Sequence, residues 1–160
     1  MKTLHDLVEQ ARVSIKEIMP WDLARLLSSE ERPLLLDVRE PHEYQALQIA
    51  GSINVPRGIL ETACEYNFDE TIPELVEARK RAIIVICRSG NRSALSAYTM
   101  QQMGYQSAVS LKTGLRGWND FDQILVDASG RHVDGDLAEE ILRPHVLPQQ
   151  LKPSPSSQAK

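Results

Sequence analysis

The sequence is poor in cysteine, in uninterrupted apolar stretches and in net positive charge, and each shortage closes off a class of function. Two cysteines occur in 160 residues, Cys64 and Cys87. They match neither the four-ligand spacing of a zinc site nor a disulfide-stapled secreted scaffold, and they fit free thiols in a reduced compartment. No stretch approaches the roughly 18 apolar residues of a membrane span. The opening Met1-Lys2-Thr3-Leu4-His5-Asp6 carries an acid where a signal peptide would build its apolar core, so the chain reads as cytoplasmic, without membrane contact. With 18 basic and 22 acidic residues the formal net charge is −4, which gives no basic footprint for nucleic acid. The histidines, His5, His42, His132 and His145, are scattered without metal-ligand spacing and read as solvated, so no metal or other cofactor is expected. Asp127 to Asp136 mixes glycines and acids without the ligand spacing of a calcium loop and reads as a turn region.

What is present fits one ordinary globular domain, 42% hydrophobic and 25% charged, large enough to bury a core. Leu4, Leu7, Val8 and Ala11 recur at helical spacing behind Thr3, a cap residue, which predicts a short amphipathic helix ahead of the domain proper. Pro20 suits a first helical position, and the apolar face that follows predicts a helix ending near Ser28-Ser29. Leu34-Leu35-Leu36-Asp37-Val38 and Ala82-Ile83-Ile84-Val85-Ile86 are continuous apolar runs, as expected of parallel strands buried on both faces. The second ends directly at Cys87. A helix is predicted from about Arg92 to Met103 with Gly104 as its stop, then a strand over Ser107 to Leu111 and a turn into a short helix bearing Trp118. Strand and helix alternate, so the fold class is α/β. Trp21 and Trp118 are expected as core anchors. Farther on, Asp127 to Arg131 reads as a turn between two short extended pieces, and Asp136 to Leu142 as a final helix.

The chemistry gathers in Cys87-Arg88-Ser89-Gly90-Asn91-Arg92-Ser93. A cysteine between a buried strand and a helix places its sulfur where backbone N–H groups converge and the helix dipole is positive. Gly90 allows close backbone approach or a positive φ, Ser89 and Asn91 tolerate tight turns, and Arg88 and Arg92 add positive charge. Such surroundings favour the thiolate and need no histidine base, and no histidine lies in the loop. The same cradle suits a small oxyanion, which would bring substrate and nucleophile together. Taken alone, a cysteine after an apolar strand is an inert buried thiol; it is the neighbours that point to a reactive one. Arg92 has two readings, as a helix-start residue paired with a carboxylate or as a substrate contact, whereas Arg88 is the better direct anion contact. Asp37 and Arg39 read as a scaffold ion pair, with Glu43 beside them. Cys64 lies among Glu61 and Glu65, which would raise its pKa, and reads as an unreactive thiol; a resolving thiol is the alternative.

The run from Ile84 to Ala94 resembles the active-site loop of single-domain rhodaneses. Leu35 to Tyr44, followed by Ile49 to Pro56, resembles that family's N-terminal signature, and Leu111 to Trp118 its C-terminal one. The resemblance covers about 14 to 120, in the family's order. It implies a central, mostly parallel five-stranded sheet flanked by helices on both faces, and a cysteine persulfide intermediate. By position, Cys87 would carry the sulfur, the backbone of Arg88 to Arg92 would form the cradle, with Ser93 closing the substrate-binding loop, and Asp37, Arg39 and Glu43 would support it. The implied partners are a small anionic sulfur donor such as thiosulfate and a thiol or cyanide acceptor, or a redox or sulfur-relay protein. Together with the patterning at either end, this divides the chain into an N-terminal amphipathic helix over 1–13, the rhodanese-like domain over 14–122, a C-terminal elaboration over 123–143 and a tail over 144–160 whose prolines and serines leave few apolar anchors and predict disorder. Two stretches depart from the family's pattern: Leu47-Gln48-Ile49-Ala50-Gly51-Ser52, and Lys112-Thr113-Gly114 where a double glycine is usual. Cysteine-dependent phosphatases resemble the loop too, but place one more residue between cysteine and arginine than the four that separate Cys87 from Arg92, so a cysteine phosphatase or arsenate reductase is the lesser alternative.

Overall fold

The computed structural model describes residues 1–153. Its elements run α1 (Leu4–Ser14), β1 (Lys16–Ile18), α2 (Pro20–Leu27), β2 (Leu34–Asp37), α3 (Pro41–Ala46), β3 (Ile53–Asn54), α4 (Leu60–Ala63), α5 (Pro73–Glu77), β4 (Ala82–Ile86), α6 (Asn91–Gln102), β5 (Ser107–Leu111), α7 (Gly114–Asp120), β6 (Leu125–Val126), β7 (His132–Val133) and α8 (Gly135–Leu142). Five strands form one sheet in the order β1-β5-β4-β2-β3, and every neighbouring pair is parallel. β6 and β7 make a separate antiparallel pair around the turn at Asp127 to Arg131.

The apolar runs form the centre of the sheet because they are covered on both sides. Along β2 and β4 the side chains alternate: Leu34, Leu36, Ile83 and Val85 join the core layer that holds Leu60, Leu75, Ala97 and Met100. Leu35, Ile84 and Ile86 join the opposite layer with Leu23, Leu115, Trp118 and Leu142. Helices therefore cover both faces. α1 starts on a capping box between Thr3 and Asp6 and buries Val8 and Ala11, packing against α6. Leu4, Leu7 and Val13 of the same helix stay exposed.

The two tryptophans part company. Trp118 is buried, its indole N–H donating to the carbonyl of Ile124. Trp21, expected as a core anchor, is 44% exposed and stands edge-on to Phe121, because it occupies the second position of α2 on the side away from buried Leu23. In the predicted tail, Pro148–Gln150 form one 3₁₀ turn and 144–153 are exposed; 154–160 lie outside the described residues. Among the described residues no helix is long and apolar enough to cross a membrane.

Candidate active site

β4 delivers Cys87 to the carboxyl end of the central strand, and the chain then turns through Arg88, Ser89 and Gly90 into α6. Gly90 is the cap of that helix with φ +95°. A side chain there would meet the backbone N of Thr113 at 3.1 Å, so both the torsion and the space require glycine. Cys87 is only 1% exposed. Its Sγ accepts the N–H of Gly90 at 3.1 Å and that of Ser93, in the first turn of α6, at 3.3 Å. The Ser93 hydroxyl stands 3.4 Å from the same sulfur and 2.8 Å from the hydroxyl of Ser110 on β5. N–H groups that an α-helix leaves unpaired at its start are thereby turned on one sulfur atom, an arrangement that suits an anion.

The loop is pinned from the other side by α7, whose first-turn N–H groups, on Leu115 and Arg116, donate to the carbonyls of Cys87 at 2.9 Å and Arg88 at 3.0 Å. Gly114 makes the approach feasible: a Cβ there would lie 2.4 Å from the Cys87 carbonyl oxygen. Thr113, at the position where a second glycine is usual, takes the left-handed conformation with φ +67°. A β-branched residue is strained there.

Asp37 and Arg39 form a fully buried ion pair, with the guanidinium donating to both carboxylate oxygens at 2.7 to 3.1 Å. The remaining donors of Arg39 reach the carbonyls of Glu43 and Leu47, at the end of α3. Asn54 on β3 donates to the carbonyls of Asp37 and Arg39, closing the turn after β2. Glu43 faces the active loop, where Arg92 binds its carboxylate through two parallel hydrogen bonds of 2.6 and 2.8 Å. Burial alone would push the Glu43 carboxyl up; the Arg92 hydrogen bonds, the backbone N–H of Glu40 and the charges of Arg92 and Arg39 outweigh it and bring the pKa down to about 2. Arg92 is thus committed to Glu43. Arg88 is half-buried, and its Nε is buried without a hydrogen-bond partner. Ser89 and Asn91 are half-buried, and neither side chain is hydrogen-bonded among the described residues.

Two openings border the loop. One, of about 370 Å³, lies on the Arg92 side with Glu40, Arg57 and Glu61 on its walls. The other, of about 260 Å³, lies on the Arg88 side between α3 and the end of α8. Cys64 sits apart in the core, and burial, more than Glu61 and Glu65, pushes its thiol up. All four histidines are exposed, and no metal-binding cluster of His, Cys, Asp and Glu occurs among the described residues.

The sequence alone assigns no role to Ser110 or Asn54. Asn54 offered only its place among the matched signature residues. Ser110 offered a faint signal, a hydroxyl on the inward face of an apolar strand, where a buried polar group needs a partner.

The family of proteins with a Rhodanese-like domain matches residues 20–121. The chain belongs to this family. Outside the matched rhodanese-like segment lie α1 and β1 on one side and β6, β7 and α8 on the other. A Bacillus subtilis protein named provisionally as a sulfur carrier is 33% identical over 106 residues, covering 66% of this chain and 51% of that protein. The adenylyltransferase and sulfurtransferase MOCS3-1 of Zea mays is 32% identical over 136 residues, 82% of this chain and 24% of the maize protein. The chain therefore spans about half the length of the first relative and about a quarter of the second. Among solved structures, a Rhodopseudomonas palustris protein of unknown function, described as a possible tyrosine phosphatase, superposes with a TM-score of 0.69 at 26% identity, covering 77% of this chain and 93% of that one.

Proposed function

We propose that the protein is a sulfurtransferase in which Cys87 takes a sulfane sulfur from thiosulfate or a similar donor, holds it as a persulfide and passes it to cyanide or a thiol. One observation carries this reading: the Cys87 sulfur accepts two backbone N–H groups from the start of α6 and has a serine hydroxyl beside it. Attack by the thiolate on the outer sulfur of thiosulfate forms the new S–S bond. The donor's own S–S bond breaks, and its electron pair leaves on sulfite. The acceptor then attacks the outer sulfur of the persulfide and the Cys87 thiolate returns. No redox partner and no metal enters either half-reaction, and the thiolate form suits a reduced cytoplasmic setting. In the cradle the transferred sulfur would meet the same N–H donors and the guanidinium of Arg88, while Asp37, Arg39 and the Glu43–Arg92 pair hold the loop. Two half-reactions predict ping-pong kinetics with thiosulfate and cyanide, lost in Cys87→Ser; converging lines from a ternary complex would exclude the scheme.

A relay module is the second reading, favoured by the Bacillus relative named as a sulfur carrier and by the exposed Leu4, Leu7 and Val13 on α1. It predicts stoichiometric loading of Cys87 with slow turnover on free thiosulfate, and pull-down of a partner protein that fails on deleting 1–13 or 144–160. The shorter loop, one residue less than in cysteine phosphatases, leaves a smaller cradle, better suited to a bound sulfur atom and its persulfide than to a phosphorus with four oxygens. Cys87-dependent turnover of phosphate esters would overturn that argument.

A further inference from the structure

Two openings run along one stripe of α6. Arg92, Leu95, Ser96 and Thr99 recur at the i, i+3, i+4, i+7 spacing that puts side chains on one helix face. They line the opening on the Arg92 side or a second one of about 250 Å³, and Arg57 and Thr99 are walls of both. From Arg92 to Thr99, at about 1.5 Å per residue, the stripe is about 10 Å long. The second opening is completed by α1, which lies outside the family match. Its Leu7 and Ala11 make an apolar end there with Leu95 and Tyr98. At the other end stand Glu40 and Glu61, beside an Arg92 already taken by Glu43. Arg57, where the two openings meet, is exposed and forms no ion pair among the described residues. Ser96 is buried, and its hydroxyl has no hydrogen-bond partner.

We infer that this groove docks an extended peptide segment of a partner protein, with an apolar side chain in the α1 end and a carboxylate two residues away on Arg57. The inference concerns docking and stands apart from the sulfur chemistry of Cys87. An extended backbone rises about 3.3 Å per residue, so the groove takes three or four residues, and side chains two positions apart point the same way. Charge sets the register. At the Arg92 end a peptide carboxylate would meet Glu40 and Glu61; on the boundary it meets Arg57, which has no competing partner. A main-chain amide passing over α6 gives Ser96 the partner that a buried hydroxyl needs. A compact ligand would fill one opening and leave the other, whereas an extended segment uses both ends and the cation between them.

The full-length, nitrogen-15-labelled protein tests this by NMR titration with capped tetrapeptides. The probe carries leucine at its first position and glutamate at its third; its reversed sequence and a glutamine-for-glutamate control accompany it. Saturable shifts are expected at the amides of Arg57, Tyr98 and Thr99 with one of the two orders, and the glutamate peptide should bind about threefold tighter than the glutamine one, the size of an exposed charge pair. Arg57→Gln, at an exposed side chain, brings that preference to one without changing the affinity for the glutamine peptide. Leu7→Ser, on the exposed part of α1, weakens both peptides alike by about fivefold through lost apolar contact. No saturable shift in the groove with either order, equal affinity of the wild type for glutamate and glutamine peptides, or an Arg57→Gln loss shared by both peptides overturns the inference.

Discussion

Arg92 and Glu43 meet through two parallel hydrogen bonds of 2.6 and 2.8 Å, tying the helix that follows the cysteine loop to the short helix that follows β2. The two residues are 49 positions apart in sequence. This pair, with the α7 N–H groups gripping the carbonyls of Cys87 and Arg88, gives the loop its shape.

The pair makes stability depend on acid in a defined window. Glu43 has a folded pKa of about 2 against an ordinary 4.5. A lowered carboxyl pKa contributes stability that is fully present above about pH 4.5 and is lost as pH falls toward 2. With both side chains partly exposed, the contribution at neutral pH is about 1–2 kcal/mol after screening. Urea unfolding at pH 7 and pH 3 should show Glu43→Gln losing less stability than the wild type over that interval; an identical loss in both proteins would discount the pair.

Ser93 and Ser110 should tune the chemistry rather than the fold. Removing the Ser93 hydroxyl deletes the polar partner beside the sulfur, and Ser93→Ala is expected to slow persulfide formation about tenfold, the worth of one hydrogen bond. Ser110→Ala leaves that hydroxyl without its 2.8 Å partner and should cost less, about threefold. Stopped-flow loading of Cys87 reads both, and equal rates in all three proteins would deny the hydroxyl a part.

Gly114 and Thr113 predict opposite outcomes at neighbouring positions. Gly114→Ala drives a methyl group into the backbone of Cys87 and Arg88 and should cost about 2–4 kcal/mol, with loss of loading. Thr113→Gly relieves a β-branched residue at φ +67° and should stabilise by about 1 kcal/mol. Thermal melts give both signs.

Asp37→Asn leaves the Arg39 guanidinium buried without its counter-charge, and a broken buried pair costs about 3–5 kcal/mol. A melting temperature unchanged from wild type would show that Arg39 finds compensation in the carbonyls of Glu43 and Leu47.

The centre of the fold was legible because burial on both faces writes itself as continuous apolar runs, seen in β2 and β4. Edges are written differently. β1 is three residues, two of them charged, and becomes a strand only by pairing with Val109, Ser110 and Leu111. β3 is two residues and α3 buries none of its own, so neither carries a periodic signal. The cysteine loop could be read because its constraints are local: a strand end, a glycine that must take positive φ and a helix start. The partner of Arg92, the Ser93–Ser110 contact and the α8 wall of the opening depend on which segments the sheet order brings together, and no spacing in the sequence encodes them.

The central claim is that Cys87 carries sulfur. Intact and peptide mass spectrometry of the folded, reductant-free protein after treatment with thiosulfate, and separately with an organic persulfide, tests it most directly. The expected result is one added sulfur on the Cys87 peptide, removed by cyanide, with Cys64 unmodified and Cys87→Ser inert. No added sulfur from either donor, or sulfur carried by Cys64 instead, would contradict the account.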